Sequence, residues 1–191
     1  MKKTNITKLK WEKWKSPRGK FAQAYKNISG AIGDVRGGWP QKGHPFNLEI
    51  EKVPPGKASC PFHSHTAQWE LFVIISGTGT VRANKARFQV KAGDVIMHPP
   101  GEAHQITNTG KRDLVFYIIA DNPPVDGCHY PDSKKWSTIR PRRRVFRISR
   151  DEMHRIPTER IGQRLRLIGQ ADRGVFQHFL QADDVGVFGA D

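Results

Sequence analysis

The sequence predicts an all-β fold, an antiparallel double-sheet jelly-roll β-barrel carried by residues 45–140. Two observations predict it. The stretch FNLEIEKV at residues 46–53 alternates apolar and polar side chains, the period of a half-buried strand. Beyond it, short apolar and β-branched runs recur at even spacing, separated by glycine, proline and asparagine turns.

The elements follow in order. In residues 46–53, Phe46, Leu48 and Ile50 are expected on one face and Asn47, Glu49 and Glu51 on the other. Pro54, Pro55 and Gly56 end this strand. Residues 62–65 and 71–75 read as the next two strands. Gly77 and Gly79 break the chain before a hairpin of residues 80–83 and 86–91, turning at Asn84 and Lys85. Residues 95–98, 104–107 and 114–120 complete the barrel. Residues 121–140 read as a loop that covers part of it.

The flanks are read more coarsely. Residues 1–44 form a basic N-terminal arm and loop, in which Trp11 and Trp14 stand three apart among lysines. They mark either one helical face or two aromatics that pin the arm to the barrel or to a second subunit. Residues 141–191 form a C-terminal extension packing on the barrel or on a dimer partner. Within it, Ser149 and Glu152 fit a capping box for a short helix to about Arg155, and residues 164–168 and 175–180 fit strands.

The chain has 191 residues and a net charge of +14. Residues 1–44 carry eleven basic and two acidic residues, +9; residues 45–140 carry eleven against nine, +2; residues 141–191 carry ten against seven, +3. The basic character therefore sits in the arm. Such an arm meets nucleic acid or another anionic partner, or is simply a solvated face. No helix-turn-helix, zinc-finger or RNA-recognition signature accompanies it, so nucleic acid is not favoured. Two cysteines, Cys60 and Cys128, with no CxxC motif, suit a reducing cytosol and read as two unrelated buried thiols. No apolar run approaches membrane-spanning length, so a cytoplasmic location without membrane contact is expected.

Chemistry concentrates in GKASCPFHSHTAQWELFVIISG and GDVIMHPPGEAHQITN. His63 and His65 share one face of a strand. Glu70 follows His65 at an odd offset, so the chain must turn through Thr66, Ala67 and Gln68 to return it to that face. His104 follows the turn signal Pro99-Pro100-Gly101. Three imidazoles and one carboxylate make a site for one divalent transition metal, Fe, Mn, Zn or Ni, with open positions for water or substrate. His98, Gln68 and Tyr117 are candidates for a supporting shell. With a divalent ion the site stays positive, which favours a small anionic or chelating oxygen ligand.

These two segments resemble the two-motif signature of the cupin superfamily. Gly56, His63, His65, Glu70 and Gly77 match the first motif, with six residues rather than five between Gly56 and His63. Gly93, Pro99, Gly101, His104 and Asn108 match the second without a gap. The resemblance implies the jelly-roll barrel, metal binding by His63, His65, Glu70 and His104, and a homodimer paired through its sheets. It permits a dioxygenase or a sugar or keto-acid isomerase acting on a small oxygenated metabolite. It also permits a non-catalytic ligand-binding or sensing barrel, or a structural one, because fold does not select among chemistries.

Overall fold

The computed structural model describes residues 2–33, 45–84, 86–140 and 144–147. Thirteen strands are β1 Glu12–Lys15, β2 Ala22–Asn27, β3 Phe46–Val53, β4 Ser64–His65, β5 Glu70–Ser76, β6 Thr78–Ala83, β7 Ala86–Lys91, β8 Val95–His98, β9 His104–Thr107, β10 Leu114–Asp121, β11 Asp126–Tyr130, β12 Lys135–Arg140 and β13 Arg144–Arg147. One short helix, α1 Ile28–Ile32, follows β2. The expected strands within residues 46–120 all form, with bounds that differ by one or two residues.

One sheet runs β1-β2-β3-β10-β5-β8, with antiparallel neighbours throughout. The opposing layer is built from β13-β12-β11-β4 and β7-β6-β9. A reciprocal backbone pair joins its two parts: His63 N–H donates to the His104 carbonyl (3.1 Å), and His104 N–H to that of His63 (2.7 Å). The core between the layers is Val53, Phe72, Ile74, Val81, Val90, Ile106, Leu114 and Phe116. Burial of these side chains away from water is the main force holding the two sheets face to face.

Two motif positions are explained by backbone geometry. Gly77 has φ +85°, and a Cβ there would lie 2.5 Å from the Asp113 carbonyl oxygen, so only glycine fits the turn into β6. Gly101 has φ +83° and donates its N–H to the His65 carbonyl (2.8 Å), which ties the second motif's turn to the first motif's strand. Asn108 is fully buried; its amide donates to the carbonyls of Val53 (2.7 Å) and Arg112 (2.8 Å).

Two expectations are revised. Residues 121–140 are not a covering loop: β11 and β12 are strands of the second layer, and β11 pairs directly with β4. Within the basic arm, β1 and β2 extend the first sheet, and Trp11 lies under the ammonium groups of Lys26 and Lys52 (4.8 and 4.7 Å). The two rows of β3 separate as expected, and it is the acidic row that meets the core: Glu51 is 6% exposed while Phe46 is 48% exposed. Glu51 pairs with Phe116 in register, so it shares the core-facing side with Val53. The expected helix after Ser149 and the expected strands at 164–168 and 175–180 lie outside the described residues.

Burial beside Glu49 and Glu70 pushes the Glu51 carboxyl well above the usual carboxylate range. The unfolded chain releases this proton near pH 4.5 while the folded chain retains it, so the residue costs stability as pH rises above that value. Glu51→Gln is therefore expected to stabilise the protein at pH 7, by about 1–3 kcal/mol, and the gain should vanish below pH 4. Denaturant unfolding at the two pH values measures it.

Candidate metal centre

The site residues are delivered by three separate pieces of the barrel. His63 and His65 come from the β4 strand region, His104 opens β9 and Glu70 opens β5 in the facing sheet. The turn that returns Glu70 is held by Asp126, which is fully buried on β11. Its Oδ1 accepts from the backbone N–H groups of Thr66 (3.1 Å), Ala67 (3.0 Å) and Gln68 (3.4 Å) and from the Thr66 hydroxyl (3.2 Å).

The same carboxylate orients the site. Asp126 Oδ2 lies 2.6 Å from His65 Nδ1. His63 Nδ1 donates to the Pro61 carbonyl (2.9 Å) and His104 Nδ1 to that of Glu102 (3.2 Å). In all three rings the Nδ1 edge is engaged with an oxygen acceptor, which leaves Nε2 as the ring atom open to a metal ion. His104 Nε2 and Glu70 Oε2 are 2.8 Å apart, and both are buried with no hydrogen-bond partner among the described residues. His65 Nε2 is 3.8 Å from the same oxygen. One ligand atom from each of His63, Glu70 and His104 lies within 4.8 Å of the others.

Two lone-pair atoms in such contact need positive charge, supplied by a proton or a cation. Neighbouring ligand atoms on a divalent ion with bonds near ~2.1 Å are separated by roughly 3 Å, so the arrangement fits a transition-metal ion. Electrostatics agree. Burial, with the charges of His104 and His65, pulls His63 down to about 3, so it stays a neutral ligand. Burial opposes ionisation of Glu70, but His65, His104 and His63 outweigh it and hold the carboxyl well below its usual range. His65 is resisted by burial, yet Cys128, Glu70 and Asp126 raise it well above an ordinary histidine. Without an ion, a proton on one of these rings balances the contact, and metal uptake must displace it.

The supporting residues divide. His98 is fully buried and stacks on His104 (3.9 Å, 9°), with Nδ1 held by Glu102 Oε1 (2.8 Å) and Nε2 unpartnered among the described residues. Gln68 is spent on structure: its amide donates to the Asp121 carbonyl (2.6 Å). Tyr117 does not reach the site. It pairs with Ile50 and Val73 across β3 and β5, on the face opposite Phe116 and Ile118.

Sequence reasoning missed Asp126 and Glu102, and it separated the two thiols from the site. Cys128 is opposite His65 in register and its Sγ lies 3.7 Å from His65 Nε2; Cys60 Sγ lies 3.6 Å from His63 Nδ1. The usable signal was the spacing of two in Asp126, Cys128 and Tyr130, which places them on one strand face.

Comparison with known proteins agrees with the architecture. Residues 49–120 match the family model described as "Cupin domain". The chain is 40% identical over 68 residues to the Oxalate-binding protein of Thermotoga maritima, covering 36% of this chain and 55% of that one. It is 30% identical over 92 residues to Auxin-binding protein 1 of Arabidopsis thaliana, covering 44% and 46%. The chain thus spans about half the length of these curated relatives. The crystal structure of a sugar phosphate isomerase of Silicibacter pomeroyi superposes with a TM-score of 0.62 at 15% identity, over 78% of this chain and 98% of that one, a likeness of fold alone.

Asp126→Asn should leave the barrel folded while loosening both the turn and the His65 ring. Its affinity for Zn(II) or Mn(II), read by isothermal titration calorimetry, is expected to fall roughly 10–100-fold.

Proposed function

With a cupin barrel as the premise, we propose that this chain is a metal-dependent enzyme that performs proton-transfer chemistry on a small oxygenated ligand. The observation that supports the reading is that ligand atoms of His63, Glu70 and His104 lie within 4.8 Å of one another, with His65 Nε2 3.8 Å from Glu70 Oε2. When bound, a divalent ion supplies Lewis acidity that polarises a carbonyl or hydroxyl oxygen. The chain's own residues do the rest. The three imidazoles and Glu70 hold the ion, Asp126 fixes His65, and the core below them excludes water. His98, anchored by Glu102, keeps a buried Nε2 able to take and return a proton beside His104. That pairing of a polarising centre and a proton acceptor suits isomerisation of a hydroxy-carbonyl compound better than dioxygen chemistry.

A second reading is a binding barrel without turnover. It is favoured by the identity shared with the Thermotoga maritima protein, whose name states only that it binds oxalate. Metal analysis and an isomerase assay separate the two. Glu70→Gln is expected to bring the metal content of purified protein near zero and abolish turnover. Under the enzyme reading His98→Gln should keep the metal and lose at least about tenfold in kcat. Turnover unchanged in His98→Gln, or oxygen consumed in step with substrate, would sink the proton-transfer reading.

We further propose a homodimer. The outer face of β3, β10, β5 and β8 carries Leu48, Ile119, Leu71 and Met97 in one register row and Tyr117, Val73 and Val95 in the next, which ends at the buried Ile50. Val95 is 60% exposed and Met97 51%. Such a continuous apolar face marks an interaction surface. Val95→Lys with Met97→Lys should convert a dimer to a monomer in size-exclusion chromatography with light scattering, with metal content unchanged.

A further inference from the structure

The inner face of the first sheet is apolar where it crosses β10 and polar where it crosses β2 and β3. Tyr25 pairs with Glu51 in register, and Glu12 pairs with Tyr25. All three share the side of the sheet that holds Phe116. The Tyr25 hydroxyl donates to Glu12 Oε2 (2.8 Å). With its amide nitrogen turned toward Glu51, Gln23 donates to both carboxyl oxygens (2.7 and 3.2 Å). Glu49 lies two residues from Glu51 on the same face and accepts from the Asn47 amide (3.2 Å).

This polar stretch is continuous with the metal centre. In register, Asn47 and Glu70 flank Ala120 on opposite sides of β10, so they lie in one row across the sheet. The charge of Glu70 reaches both Glu49 and Glu51. Three buried atoms in this region have no hydrogen-bond partner among the described residues: Asn47 Oδ1, Glu70 Oε2 and His104 Nε2, the last on a side chain 2% exposed. All three are lone-pair acceptors in these orientations. An ion satisfies the latter two. It does nothing for Asn47, which needs a donor. A fold has no packing reason to put such groups on the inner face of a sheet, because each costs free energy to bury.

We propose that Tyr25, Asn47, Glu49 and Glu51 form the ligand-binding wall beside the metal ligands, and that this wall selects an uncharged polyhydroxyl compound over an anionic chelator. Hydroxyl groups donate to Asn47 Oδ1, to Glu49 and to the Tyr25 oxygen, whose own proton is held by Glu12, and they accept from a neutral Glu51. Carboxylate or phosphate oxygens can only accept, and along this wall they would meet Asn47 Oδ1, Glu49 and Glu12, so that only the metal ion itself would receive them. This narrows the ligand named from the sequence, anionic or chelating, to its neutral hydroxyl-bearing members. It rests on the metal-centre reading above. The chemistry of the wall agrees: burial, with Glu12, Glu49 and Glu51 nearby, pushes Tyr25 up to about 12, and Glu51 is likewise held toward its neutral form.

The test is calorimetric titration of the full chain loaded with Mn(II), using D-ribose as neutral probe and oxalate as anionic probe. The expected result is ribose bound at least about tenfold more tightly than oxalate, a difference of about 1.4 kcal/mol. Tyr25→Phe should weaken ribose about tenfold while leaving Mn(II) affinity and oxalate unchanged. Glu49→Gln with Glu51→Gln should strengthen oxalate about tenfold at unchanged Mn(II) affinity. Any other ranking in the unmodified protein, including no ribose binding, overturns the proposal, as does a double variant indifferent to oxalate. Failure of the protein to take up Mn(II) at all would instead strike the metal-centre reading, and the Mn(II) titration run first distinguishes the two.

Discussion

Everything in this barrel is arranged around a contact that cannot persist without positive charge. Glu70 Oε2 and His104 Nε2 sit 2.8 Å apart, buried, with His65 Nε2 at 3.8 Å from the same carboxylate oxygen. Placing lone pairs together in a medium drier than water is unfavourable by several kcal/mol unless a proton or a cation lies between them. The surrounding structure enforces the contact rather than relaxing it. Asp126 and the carbonyls of Pro61 and Glu102 engage the opposite ring edges, so no imidazole can turn its Nε2 away without giving up a hydrogen bond.

The scaffold explains how such a contact is tolerated. His63 and His104 are backbone neighbours as well as site neighbours, exchanging two hydrogen bonds where the two parts of the second layer meet. Glu70 arrives from the other sheet, across a core of aromatic and branched side chains that fixes the spacing between layers. Phe72, two residues beyond Glu70, packs edge-on against both His98 and His104 (5.0 and 5.7 Å). The apolar core and the polar centre therefore share residues, and the stability of one sets the precision of the other.

Much of this was legible in the chain. The strands were readable because period-two alternation and turn residues both pointed the same way, and HxH spacing put two rings on one face. The need for a turn before Glu70 followed from parity alone. What held that turn did not, because Asp126 lies 60 residues beyond Thr66 and its stretch, DGCHYP, is poor in strand-forming residues. Which row of β3 meets the core was not legible, for a different reason. Alternation reveals that two faces differ, but not which one meets the core. Here the apolar row of β3 continues an apolar outer sheet face, and its acidic row lines the interior. Tyr117 misled in the same way, being one residue out of phase with Phe116.

The orientation of β3 bears on the chemistry. Glu49 and Glu51 would be a defect in an ordinary β-sandwich core. Beside a centre that already holds Glu70 ionised, a further buried negative charge is resisted: two like charges about 8 Å apart cost about 2 kcal/mol at an effective dielectric of about 20, more than one net hydrogen bond returns. The shift of Glu51 toward its neutral form is the local answer. A neutral carboxyl is both donor and acceptor, the same pairing that a hydroxyl presents in reverse. Burial and the neighbouring Glu49, with Glu70 adding to them, hold Glu51 toward its neutral form, so the polarity of this surface is set first by its own removal from water.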